Sequence, residues 1–124
     1  MLSSKAMDNW SNIERISSRI IIADFVGNPK STVNSCYSPT NSSSDDDINY
    51  FYNRLRSVME NVPAHNFMTI PGDFNGNLGP DDAKFTFHTE SNRNRELLVD
   101  FIEEFNHFPA NTKFMKSKNK LWTF

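Results

Sequence analysis

One cysteine among 124 residues, Cys36, leaves no internal disulfide framework and fits a reducing compartment. A basic surplus is also missing: the formal charge is -2 and the pI is near 5.9, so the broad electrostatic footprint of a nucleic-acid binder is absent and any such binder must use local contacts. No long apolar run exists. Ile20-Ile21-Ile22 is too short to span a bilayer and the amino terminus lacks the apolar core of a signal peptide, which makes a soluble intracellular protein without membrane contact the expectation. Asn9-Trp10-Ser11 and Asn41-Ser42-Ser43 match the glycosylation acceptor pattern, but three-residue matches recur by chance. Internal repeats and interdomain linkers are lacking too, so a single domain with a modest core is expected across 1–124. His65, His88 and His107 have no metal-ligand spacing and read as solvated histidines.

What is present is organised around Ile70-Pro71-Gly72-Asp73-Phe74-Asn75-Gly76-Asn77. The apolar run Phe67 to Ile70 ends there in turn formers, a pattern that reads as a strand delivering polar groups to its carboxyl end. Residues two apart on a strand face the same side, so Asp73 and Asn75 would share a cleft for as long as the extended geometry lasts. A plain turn is the alternative reading of the same residues.

Along the chain, Met1 to Ser18 reads as an irregular or weakly helical lead-in, with Trp10, Ile13 and Ile16 three apart. Arg19 to Val26 and Ser31 to Tyr37 read as an antiparallel hairpin in which Thr32, Asn34 and Cys36 face opposite to Val33, Ser35 and Tyr37. Asp45-Asp46-Asp47 resembles a metal cluster only in composition. At a helix start consecutive residues diverge, and acids there complement the helix dipole. Ile48, Phe51, Tyr52, Leu55, Val58, Met59 and Val62 then form one stripe of a helix stopped by Pro63. Strand, helix, strand is a crossover unit, so Ser31 to Tyr37 and Phe67 to Ile70 should be parallel in one sheet.

Leu78 to Ser91 reads as a polar excursion with a short alternating segment at Phe85 to His88. Leu97, Leu98, Phe101, Ile102 and Phe105 mark a second amphipathic helix starting near Asn92 to Asn94. Lys113 to Lys116 and Leu121 to Phe124 read as two short strands. Lys113, Lys116, Lys118 and Lys120 with Trp122 are the one basic and aromatic concentration, suited to a nucleic-acid backbone or to a solvated hairpin.

Five blocks in order carry a resemblance: Ile16-Ser17-Ser18-Arg19-Ile20-Ile21, Cys36-Tyr37-Ser38-Pro39-Thr40-Asn41, Gly72-Asp73-Phe74-Asn75, Asn92-Arg93-Asn94 and Leu121-Trp122-Thr123. Together they resemble the endonuclease/exonuclease/phosphatase family, and within it the endonuclease domain of LINE-type retrotransposons and the craniofacial development protein 2-like group of host sequences derived from it. The resemblance implies an α/β fold, a four-layered α/β sandwich truncated at both ends, with Mg²⁺ as cofactor, DNA as nucleic-acid partner and hydrolysis of a phosphodiester by an in-line water. By the same resemblance, Asp73 orients or deprotonates the water, Asn75 is the amide on the nucleophile or phosphate, and Tyr37 is the active-site tyrosine. Thr40 stands where relatives place a phosphate-binding Asn, with Asn41 beside it, and Trp122 belongs to the last block. The family's metal-holding Glu and its terminal Ser-Asp-His have no counterpart here, Arg95 stands where relatives often have Gly, and Pro71 removes a backbone donor. The expectation is therefore an inactive middle portion with no metal ligand set of its own, whose unpaired sheet edges invite self-association or a partner chain. A non-catalytic interaction or structural protein derived from such an endonuclease is the alternative.

Overall fold

A computed structural model of the protein describes residues 4–86 and 88–115. Its elements are a one-turn helix α1 (Ser4–Met7), strands β1 (Trp10–Arg15), β2 (Ile20–Phe25) and β3 (Ser31–Tyr37), helix α2 (Asp45–Asn61), strands β4 (Phe67–Thr69) and β5 (Gly72–Asp73), helix α3 (Arg93–Glu104) and a 3-10 turn (Ala110–Thr112). This is a mixed α/β fold with a five-stranded mixed sheet and two long helices. The chain divides into two compact units: Met1–Pro39 with Asp45–Phe74, and Thr40–Ser44 with Asn75–Phe124.

The first unit is the sheet and α2. Strand order is β1-β2-β3-β4, with β5 also on β3. β1, β2 and β3 pair antiparallel, whereas β4 and β5 run parallel to β3, as a crossover through α2 requires. Along β3 burial alternates: Thr32, Asn34 and Cys36 are buried, and Tyr37 and Ser35 are exposed. The buried set faces α2, whose Ile48, Phe51, Tyr52, Leu55, Val58 and Met59 supply the other half of the core, with Phe51 and Tyr52 meeting edge to face at 5.2 Å. Burial pushes the Cys36 thiol up to about 12 and raises the Tyr52 phenol as well, so both are neutral packing groups at ordinary pH. The opposite sheet face carries Ile13, Ile21, Tyr37 and Phe67, which are 46%, 47%, 50% and 61% exposed.

The lead-in expectation fails at β1. Trp10 and Ile13 are three apart, yet Trp10–Arg15 pairs with β2, with a register shift between Trp10 and Asn12. All six residues are exposed, so this edge strand has no apolar alternation to reveal it. The fourth strand is shorter than Phe67 to Ile70 and pairing resumes only at Gly72, because Pro71 interrupts it without an N–H to give.

The second unit is built on α3, which buries Asn94, Leu98 and Phe101. Phe101 packs on Phe105 with ring centroids 5.1 Å apart. No strand forms at Phe85, Thr86 or His88, nor at Lys113 to Met115. Phe87 and the stretch from Lys116 to Phe124, which includes Trp122 and the expected second hairpin strand, lie outside the described residues.

Candidate functional site

Tyr37 and Asp73 are brought together. They are the last residues of β3 and β5 and are register partners in the parallel ladder, so their side chains leave the same face, the one opposite α2. The backbone sets this spacing through Cys36 N–H to the Pro71 carbonyl at 3.1 Å and Ser38 N–H to the Asp73 carbonyl at 2.8 Å. Gly72 permits the approach: a Cβ there would stand 2.1 Å from the Cys36 carbonyl oxygen, so no other residue lets β5 close on β3. Its place in the Gly-Asp pair is thus a steric demand.

Arg19, which sequence reasoning passed over as a site residue, completes this end of the sheet. Its guanidinium lies 5.7 Å from the centre of the Tyr37 ring, and Nη1 donates to the Tyr37 carbonyl at 3.4 Å. A carboxylate, a phenol and a guanidinium therefore stand on one exposed sheet end. They can accept a proton, donate a hydrogen bond to an anionic oxygen and offset negative charge, respectively.

Asn75 does not continue the strand. Extended geometry stops at Asp73, and Asn75 has φ 50, the left-handed region that Asn tolerates better than most residues. The two-residue alternation expected to align Asp73 with Asn75 therefore does not reach Asn75. In the second unit the Asn75 segment is held by Asn92: Nδ2 donates to the Asn75 carbonyl at 2.8 Å, and Oδ1 accepts from Asn77 N–H at 2.9 Å and Arg95 N–H at 3.1 Å. Thr40 is spent locally, its hydroxyl 3.0 Å from the Ser42 hydroxyl and 3.3 Å from that of Ser43, in an exposed turn that also holds Asn41. Arg93 Nη2 secures that turn by donating to the Ser43 carbonyl at 2.7 Å.

Arg95, read from sequence as a departure from glycine, has a structural task. Its guanidinium forks onto the Asp82 carboxylate, with Nε 2.9 and 3.0 Å from the two oxygens and Nη2 in contact with the first. Gly79 N–H also reaches Asp82, at 2.9 Å. The Arg95 hydrogen bonds hold the Asp82 carboxyl below the usual carboxylate range.

Among the described residues no group of three or more His, Cys, Asp and Glu side chains could hold a metal ion. A hard cation such as Mg²⁺ requires several oxygen ligands, and the described residues assemble no carboxylate set that fits it. A cleft of about 670 Å³ lies in the first unit at the amino end of β3, away from Tyr37, lined in part by Asp24, Lys30, Arg54 and Asn61. Part of its polar floor is paired, Thr32 donating to Asp24 at 2.7 Å and Asn66 Nδ2 to Thr32 at 3.2 Å, whereas Asn66 Oδ1 is buried without a hydrogen-bond partner. No described helix is long and apolar enough to cross a membrane. The chain matches no family model, no curated protein and no solved structure.

Proposed function

We propose that the chain is the middle portion of a metal-dependent phosphodiesterase or endonuclease domain of the endonuclease/exonuclease/phosphatase type, acting on nucleic acid when complete and inactive by itself. The observation that carries this reading is the pairing of Tyr37 with Asp73 at the carboxyl ends of adjacent parallel strands, where Gly72 allows the strands to close. The exposed apolar face of the same sheet supports it as well, being what the inner face of one sheet of a sandwich looks like without the second sheet.

In this reading the Asp73 carboxylate orients the attacking water and takes its proton and the Tyr37 phenol donates to a phosphate oxygen, while Asn75 keeps the amide role that the resemblance gives it. The resemblance assigns Thr40 and Asn41 to the phosphate and Trp122 to the nucleic acid. Water oxygen bonds to phosphorus and the bond from phosphorus to the leaving oxygen breaks. Arg19 lies beside Tyr37 to offset the charge that accumulates, and one guanidinium is far from a full electrostatic clamp. The purified chain is therefore expected to show no Mg²⁺-dependent nicking of plasmid DNA above an Asp73→Ala control. Nicking that Asp73→Ala abolishes would sink the claim of inactivity.

A second reading is favoured by the exposed Ile13, Ile21 and Phe67: a non-catalytic protein that associates through this face. Saturation of the face by a second copy without any nucleic-acid affinity would favour it over the first.

A further inference from the structure

We propose that Asn92 is a positioning residue that fixes the Asn75 to Asn77 backbone, and with it the Asn75 amide, by a set of hydrogen bonds separable from its capping of α3. The proposal rests on the reading of Asn75 as a phosphate-side amide and names what holds that residue in place.

Three contacts exhaust most of what one carboxamide can do. Two N–H donors, from Asn77 and Arg95, converge on one atom of the Asn92 amide and a carbonyl, that of Asn75, approaches the other. That pattern fixes the orientation of the group: the oxygen must face the two donors and the nitrogen the carbonyl. The bond to Arg95 N–H is an ordinary helix cap, with Asn92 extended at φ -126 and ψ 174. The other two have nothing to do with the helix. They tie both ends of a three-residue segment whose first member is in the left-handed region, so they act where the backbone most needs external support. Gly76, between them, is pressed on α3: a Cβ would lie 3.0 Å from Leu98 Cδ2 and 3.5 Å from the Asn94 carbonyl oxygen. Asn94 itself is fully buried, so the surface receiving the segment is part of the packed unit.

An aspartate in place of Asn92 separates the two tasks. It retains the oxygen that accepts from Arg95 N–H and Asn77 N–H and caps as well as asparagine, but it has no N–H for the Asn75 carbonyl and sets a carboxylate oxygen against it. The experiment is residue-resolved amide exchange by NMR at neutral pH on the full chain and its Asn92→Asp and Asn92→Ala variants. In Asn92→Asp, α3 amides, including Arg95, should exchange within about twofold of the parent, while the Asn75 backbone shifts move and Asn77 exchanges about five- to tenfold faster, because the segment opens more readily once the hydrogen bond to the Asn75 carbonyl is lost. In Asn92→Ala both sets should accelerate. An Asn92→Asp variant in which Asn77 is unchanged, or in which α3 accelerates as much as Asn77, would overturn the proposal.

Titration with inorganic phosphate and with a dithymidine phosphodiester separates this inference from the functional reading. If Asn75 meets phosphate, its side-chain amide signals shift in the parent and the apparent affinity falls about five- to tenfold in Asn92→Asp, the same one-bond equivalent. If the parent signals do not respond, the phosphate reading of Asn75 fails while the exchange result still decides whether Asn92 positions the segment.

Discussion

Asn34 and Asn92 are the same residue with opposite value to the two units. Asn34 sits at the centre of β3 under α2, fully buried, and neither its amide nitrogen nor its amide oxygen has a protein hydrogen-bond partner. Asn92 is half-buried and makes three hydrogen bonds, two accepted by its amide oxygen and one donated by its amide nitrogen. The first unit is held by apolar burial and carries a polar group as a cost. The second has one amphipathic helix and is held by polar clamps that tie loops to it: Asn92, the Asp82–Arg95 pair, and Arg93 on Ser43. Stability in the first unit should follow buried apolar volume, and in the second the integrity of a few hydrogen bonds.

Leu55→Ala is the strongest way to break the first half of that contrast. Leu55 is fully buried between α2 and the sheet, and its truncation should cost about 2–5 kcal/mol in denaturant unfolding. A loss below about 1 kcal/mol would mean that α2 is not packed as described.

Asn34→Leu should move in the other direction. Replacing an unpaired buried amide by an apolar group of similar size removes a desolvation cost of about 1–3 kcal/mol, so the chain should gain stability of that order. Destabilisation by the same change would show that Asn34 is satisfied and that the two asparagines are alike.

Much of the first unit was legible in the sequence because its forces leave a period. Ser31 to Tyr37 begins and ends as expected from its alternation, and the stripe from Ile48 to Met59 is the buried face of α2. β1 was not legible: an edge strand with both faces exposed keeps no alternation, and the three-residue spacing of Trp10 and Ile13 imitates a helix. In the second unit the start of α3 was readable near Asn92, since an asparagine before an amphipathic run is a cap signal. Its reach back to Asn75 and Asn77 was not, because a bond from a side chain to a backbone 15 or 17 residues away leaves no pattern. The Arg95 fork onto Asp82 escaped for the same reason. At the candidate site, Tyr37 and Asp73 were readable from motif and strand order, whereas the break in extended geometry before Asn75 depends on local φ.

The acid dependence of the second unit gives a smaller effect that sharpens the contrast. Asp82 has its carboxyl lowered in the folded state, mainly by hydrogen bonds from Arg95. Its contribution is therefore present above the unfolded carboxyl value of about 3.9 and disappears as pH falls through the lower folded value. Amides from Gly79 to Ala83 should lose protection in that range, and Asp82→Asn should remove the dependence. Equal acid sensitivity in the parent and in Asp82→Asn would assign the effect to other carboxylates.

The most direct measurement of the central claim, that the sheet has one face packed by α2 and an apolar face left open, is sedimentation velocity over a concentration series. The parent chain is compared with an Ile21→Lys, Phe67→Lys double variant, and far-UV circular dichroism checks that both keep their fold. The account predicts that the parent associates as concentration rises while the variant, with unchanged dichroism, stays monomeric. A parent chain that remains monomeric and indistinguishable from the variant at every concentration would contradict it.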